Sequence, residues 1–140
     1  MPVATKKTLS LRTRSSVDRT ASRSSPAAAA FARTHAPEGL LVYVEASGDA
    51  ALDIARDLGR MRLAGWFDAA RAVLVGRTSA PGSPGFTQED AVRSALDGLD
   101  VPVVLDVDCG HVAPQLSLVN GALAELEMDG ARARLTQTVG

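Results

Sequence analysis

The chain has 140 residues, enough for one domain with an apolar core. It is 46% hydrophobic and 22% charged, which is globular rather than disordered; its one cysteine, Cys109, excludes an internal disulfide and a cysteine-based zinc cluster, and no apolar run approaches the roughly 18 residues of a membrane span. The formal net charge of −1 conceals two unlike parts: residues 1–37 carry seven Lys/Arg and one acid, Asp18, whereas residues 38–140 carry eight arginines and fifteen acids, a net of −7.

Residues 1–37 are rich in Ser, Thr, Arg and Ala, with Pro26-Ala27-Ala28-Ala29-Ala30 at their centre. No apolar periodicity runs through them, so burial offers little to offset the entropy of ordering. The expectation is a disordered or spurious basic tail over 1–37 and a folded body over 38–140. A transit peptide has this composition. So does out-of-frame translation of a GC-rich gene. A nucleic-acid-binding arm fits poorly, because Phe31 is the one aromatic among the charges. The acidic body offers no basic surface for nucleic acid either.

The body alternates strand and helix. Leu40-Leu41-Val42-Tyr43-Val44 is a continuous apolar run, as in a strand covered on both faces. Ser47 or Asp49 is placed to cap the helix that follows. Ala51, Ile54, Ala55, Leu58 and Met61 form one stripe of that helix, and Asp53, Arg56, Asp57 and Arg60 the opposite one. The charged stripe also allows Asp53–Arg56 and Asp57–Arg60 pairs at i,i+3, and Gly65 ends the helix. Ala72 to Gly76 reads as a second buried strand, followed by the Pro/Gly-rich loop 77–85. Thr87-Gln88-Glu89-Asp90 has the form of a capping box, opening a helix that buries Val92, Ala95, Leu96 and Leu99. Pro102 begins a third strand running through Val107. The last segment, Ala122–Met128, Asp129-Gly130 and Ala131–Val139, reads as a hairpin with an Asp-Gly turn. Short links in a β-α-β-α-β order imply parallel strands and right-handed crossovers. The predicted fold class is therefore α/β: a mostly parallel sheet with flanking helices and a C-terminal β-hairpin.

In open α/β sheets, ligands bind outside the carboxyl ends of the strands. Glu45 leaves the end of the first strand, the 77–85 loop the end of the second, and Asp108-Cys109-Gly110-His111 the end of the third. The topology thus predicts Glu45 and His111 on one edge, within reach of each other. A carboxylate that holds an imidazole is two-thirds of a Ser-His-acid triad. Cys109 is poorly placed as a nucleophile for His111, two residues away on the same loop, and fits better as a small buried hydrophobe. Cys109 and His111 as a metal pair lack further Cys or His ligands, since His35 lies in the tail. Ser47, Ser79 and Ser83 lie near the proposed edge, but none sits in a Gly-x-Ser-x-Gly turn. Loop 77–85 suits either substrate contact or plain connection, and Trp66-Phe67 is expected to pack the end of the first helix.

At these residues the body resembles the C-terminal half of the LD-carboxypeptidase family, serine peptidases that include the microcin C immunity peptidases. The matching stretches are Leu40-Leu41-Val42-Tyr43-Val44-Glu45, Arg62-Leu63-Ala64-Gly65-Trp66-Phe67-Asp68, Val75-Gly76-Arg77, Val101-Pro102-Val103-Val104, Gly110-His111, Pro114, and Leu118-Val119-Asn120-Gly121. Together they span nearly all of 38–140. The resemblance implies that Glu45 orients His111 and that His111 serves a serine in the family's other, N-terminal half. Residues 1–37 contain no matching Gly-x-Ser-Asp-type turn, so the expectation is a catalytic-half domain, inactive alone for want of its nucleophile. The substrates implied are the L,D-peptide bond of murein peptides or the amide of an aminoacyl-nucleotide conjugate. The expected protein partner is an N-terminal half or a second copy of the chain. No cofactor, metal, nucleic acid or membrane is implied, and the expected compartment is the cytoplasm. A reading from another class is a catalytically silent binding or assembly domain that keeps the fold without the chemistry.

Overall fold

The computed structural model describes residues 7–15 and 34–140. Six strands form one sheet: β1 (Lys7–Ser15), β2 (Leu40–Val44), β3 (Ala70–Gly76), β4 (Val103–Val107), β5 (Leu123–Asp129) and β6 (Arg132–Thr138), in the order β4-β3-β2-β1-β5-β6. Strands β1 to β4 are mutually parallel, and β5 and β6 add antiparallel beyond β1. Two helices, α1 (Ala51–Leu63) and α2 (Gln88–Leu96), supply the crossovers β2-α1-β3 and β3-α2-β4. The architecture is the mostly parallel α/β sheet with flanking helices and a terminal hairpin that the sequence pattern predicts.

One part of the pattern was not legible. Residues 7–15 lie in the expected tail, yet they form a strand between β2 and β5. Their backbone groups are satisfied by a parallel ladder on one side and an antiparallel ladder on the other. The expectation for the rest of the tail, residues 1–6 and 16–33, lies outside the described residues.

The two faces of the sheet bury alternate residues, as the period of two requires. Leu40, Val42, Val44 and Val73 pack with Ala51, Ile54 and Leu58 of α1 and with Ala91, Val92, Ala95 and Leu96 of α2. Leu41, Ala72 and Leu74 face the other way, where they cluster with Ala124 and Leu126 of β5. Trp66 and Phe67 are buried in the helix-side core behind the end of α1, as expected.

The helix ends follow local chemistry, with one correction. Helix α1 closes in a Schellman motif: Trp66 N–H donates to Met61 and Gly65 N–H to Arg62, with Gly65 at φ +76°. Thr87 and Asp90 make the reciprocal capping box of α2, at 3.1 and 2.8 Å. At the start of α1, however, Ala50 is the N-cap, with no side-chain cap. Neither Ser47 nor Asp49 takes that role: Ser47 turns back toward Glu45 instead, in a left-handed conformation at φ +50°. In the hairpin, Asp129 pairs with Arg132, so the two-residue turn is Gly130-Ala131, one residue later than the Asp-Gly reading.

Candidate active site

The parallel strands β2, β3 and β4 deliver three segments to one edge. Glu45 follows Val44 directly, Arg77 and Thr78 follow Gly76, and Asp108 to His111 follow Val107. Hydrogen bonds tie these segments together. Ser47 carbonyl accepts from Ser79 N–H at 2.8 Å and from the Thr78 hydroxyl at 2.9 Å. Arg77 N–H reaches Val107 carbonyl at 3.3 Å.

At the centre His111 Nδ1 lies 3.1 Å from Glu45 Oε2. The same carboxylate oxygen accepts the Ser47 backbone N–H at 3.0 Å. Glu45 is 8% exposed in its side chain and His111 65%. An ionised carboxylate only accepts, so in this pair Nδ1 is the donor, and when the imidazole is neutral Nε2 is the nitrogen without a proton. That is the arrangement of a histidine able to take a proton from a group approaching from outside.

Two glycines make room for the carboxylate. A Cβ on Gly110 would stand 2.7 Å from Glu45 Oε2 and 2.9 Å from Glu45 Cβ, and Gly110 has φ +99°. A Cβ on Gly76 would meet Cys109 carbonyl at 2.4 Å and Glu45 Cβ at 3.1 Å. Glu45 therefore lies close against the backbone at both glycines, which restricts the room its side chain has to move. A glycine closing a β-rich run and one just before a strand-end histidine were the sequence signals for this packing.

Behind the histidine, Arg77 pairs with Asp108 at 2.7 Å. The same Nη2 donates to Pro114 carbonyl at 2.7 Å and Val112 carbonyl at 3.3 Å. None of these three partners could be inferred from sequence, since the pairing depends on how the 108–114 loop folds back.

A cleft of about 740 Å³ opens beside the pair. Glu45, Ser47, Thr78, Gln88 and His111 line it, together with Leu58 and Met61 of α1 and Trp66 beyond its end. Its volume is in the range of small-molecule sites. Gly76 and Thr78 line it and Arg77 does not.

The remaining candidates sort plainly. Cys109 is buried, and burial, reinforced by the nearby Glu45 and Asp108 charges, pushes its thiol pKa up, the opposite of an activated nucleophile. The Ser79 hydroxyl lies 3.1 Å from Ser47 carbonyl. Among the described residues no hydrogen bond joins His111 to Ser47, Ser79 or Ser83. No group of three or more His, Cys, Asp or Glu that could hold a metal ion occurs among them, and no helix among them is long and apolar enough to cross a membrane.

Comparison with known proteins agrees with the fold and narrows the family. The profile described as LD-carboxypeptidase C-terminal domain matches residues 22–126. The match begins upstream of the composition break at Pro37. The microcin C7 self-immunity protein MccF of Escherichia coli is 25% identical over 101 residues, which cover 71% of this chain and 29% of that protein. Among solved structures, muramoyltetrapeptide carboxypeptidase from Oxalobacter formigenes superposes with a TM-score of 0.69 at 18% identity, over 94% of this chain and 45% of that one. MccF in complex with aspartyl sulfamoyl adenosine gives 0.71 at 19%, over 97% and 40%. The chain thus spans less than half the length of the proteins it matches.

Proposed function

This chain belongs to the LD-carboxypeptidase family, by its C-terminal domain, and from that premise we propose that it is the half of a serine-type hydrolase that holds the acid and the base. Glu45 orients His111, and His111 takes the proton from a serine hydroxyl supplied by the family's other half. That serine attacks the carbonyl carbon of an amide, forming an acyl-enzyme and releasing the amine, which leaves with the proton His111 returns to it. Water then attacks the acyl group, with His111 accepting its proton and passing it to the serine oxygen as the carboxylic acid leaves, which restores the serine hydroxyl.

The observation that carries this reading is the 3.1 Å contact between His111 Nδ1 and a nearly buried Glu45, at the carboxyl edge of the sheet and on the wall of a cleft. A silent domain would have no need of an ordered acid–imidazole pair facing a ligand-sized space. The substrate classes proposed are the L,D-amide of a murein peptide and the amide of an aminoacyl-nucleotide conjugate. Two relatives support these two classes: a muramoyltetrapeptide carboxypeptidase, and an immunity protein solved with aspartyl sulfamoyl adenosine.

The 140-residue chain assayed by itself is expected to be inactive, because the covalent route and its oxyanion donors need the serine side. The test is turnover of an L,D-tetrapeptide and of an aminoacyl sulfamoyl adenosine, by the chain alone and mixed with a family N-terminal half. Turnover only in the mixture, lost with His111→Ala, supports the proposal. Turnover by the chain alone, lost with His111→Ala, would place a nucleophile inside it. A mixture without activity would favour the binding or assembly reading.

A further inference from the structure

The histidine of this site stands on a loop with no regular secondary structure, between β4 and β5. A ring that is 65% exposed is not held by packing, and its bond to Glu45 fixes one atom only. Something else must set where the loop presents it. Arg77 meets that need. It emerges from the neighbouring strand β3, and its Nη2 contacts the Asp108 carboxylate, the Val112 carbonyl and the Pro114 carbonyl. Those three partners bracket His111 on both sides in sequence. The side chain is 27% exposed, and its Nε is buried without an acceptor. A guanidinium placed for solubility would keep that donor in water. Here the donor is given up while the outer nitrogen takes three oxygens.

Arg77 also stays out of the cleft, although both its sequence neighbours line it. That separates two roles an arginine could play in a hydrolase of this kind. An arginine recognising a substrate carboxylate must face the substrate. This one faces the loop that carries the base. We propose that Arg77 is a positioning residue: its guanidinium clamps the Asp108–Pro114 loop so that His111 keeps Nδ1 on Glu45 and presents Nε2 to the cleft. The inference rests on the catalytic reading of the Glu45–His111 pair and adds to it the group that sets the pair's geometry. Lysine keeps the charge but lacks the length and shape of the guanidinium, so it reaches the three oxygens that Nη2 contacts only in part.

The experiment reads the imidazole tautomer by ¹⁵N NMR in the 140-residue chain, with the pH held where imidazole is neutral. His35→Gln assigns the His111 signals. Wild-type His111 is expected as one tautomer, protonated at Nδ1. Arg77→Met should give a mixture of both tautomers, and Arg77→Lys should recover that single form only in part. Asp108→Asn, which removes one charged prong and keeps the shape, should shift the population in the same direction by less. In the mixture with a family N-terminal half, Arg77→Met should lower kcat by up to about a hundredfold, the scale of a 1 Å misplacement, and leave KM within about twofold. A folded Arg77→Met chain that keeps the single Nδ1–H tautomer overturns the proposal. If Arg77→Met does not fold, an unmoved tautomer in both Arg77→Lys and Asp108→Asn overturns it equally. A rise in KM with kcat unchanged would assign Arg77 to substrate instead. A wild-type ring that is not protonated at Nδ1 would sink the Glu45–His111 pairing itself, a separate failure seen before any variant is made.

Discussion

Replacing Gly76 with alanine puts one methyl group where the structure has none to spare. Its Cβ would lie 2.4 Å from the carbonyl oxygen of Cys109 and 3.0 Å from the Cys109 sulfur. The nearer obstacle is backbone at the exit of β4, so it cannot rotate away as a side-chain tip would. Relief requires a displacement of about 0.6 Å or more, and overpacking of this kind costs typically 1–3 kcal/mol. The backbone obstacle sets the expectation at the upper end, about 3 kcal/mol. With an unfolding entropy near 2.1 cal/mol/K per residue, a chain of this length should lose about 10 °C in Tm. The same displacement moves the loop that carries His111 away from Glu45, whose Cβ is the third atom against the new methyl, at 3.1 Å. Thermal unfolding by circular dichroism gives the first number, and the His111 imidazole ¹⁵N spectrum reads the second. A variant that melts within about 2 °C of wild type would refute the packing argument, because that corresponds to well under 1 kcal/mol.

Other consequences can be checked separately. Gly110→Ala should disturb the site more than Gly76→Ala at similar stability cost, because its Cβ meets Glu45 at 2.7 and 2.9 Å and its φ of +99° is strained for an L residue; NMR should show loss of the single His111 tautomer. Cys109 should resist alkylation in the folded chain at neutral pH and react on unfolding, since burial holds it as the thiol; rapid labelling of the native chain by iodoacetamide would contradict this. The Asp90 carboxyl titrates below its usual range because it accepts the Thr87 N–H, so its stabilisation of α2 is present above about pH 4 and lost as pH falls through the lower folded-state pKa. Asp90→Asn, which removes the titrating carboxyl, should flatten that acid-limb dependence in a pH series of denaturant midpoints, and an unchanged slope would discount the capping box. Amides of the β1 segment should exchange slowly, since β1 has a ladder on each side; full exchange within the dead time would remove β1 from the sheet.

The parts of the fold read correctly from sequence are those where one period dominates. The apolar run of β2, the opposed stripes of α1 and the Thr87–Asp90 box each state their own structure in a few residues. The edge that brings Glu45 to His111 followed from connection lengths and handedness alone. Strand β1 was missed because its residues Lys7–Ser15 mix charge and hydroxyl with two leucines, and because its partners, β2 and β5, lie 25 and more residues downstream. Nothing local marks a strand whose ladders are both distant. The capping of α1 was misread for a related reason. Ser47 is a good cap by type, but its backbone serves Glu45, and the site's demand overrides helix propensity. Arg77 was legible as part of a loop and of the matching stretch Val75-Gly76-Arg77, but its role was not, because its three acceptors include two backbone carbonyls that carry no sequence signal.

The most direct test of the account is whether His111 activates a serine that belongs to the family's other half. A fluorophosphonate probe labels serines that a neighbouring base has made nucleophilic. The 140-residue chain, a family N-terminal half, and their mixture are each treated with the probe and digested, and the labelled peptide is identified by mass spectrometry. The account predicts label on the serine of the N-terminal half, in the mixture only, lost with His111→Ala and reduced with Glu45→Gln. Label on this chain by itself, or label in the mixture that His111→Ala leaves intact, would contradict it.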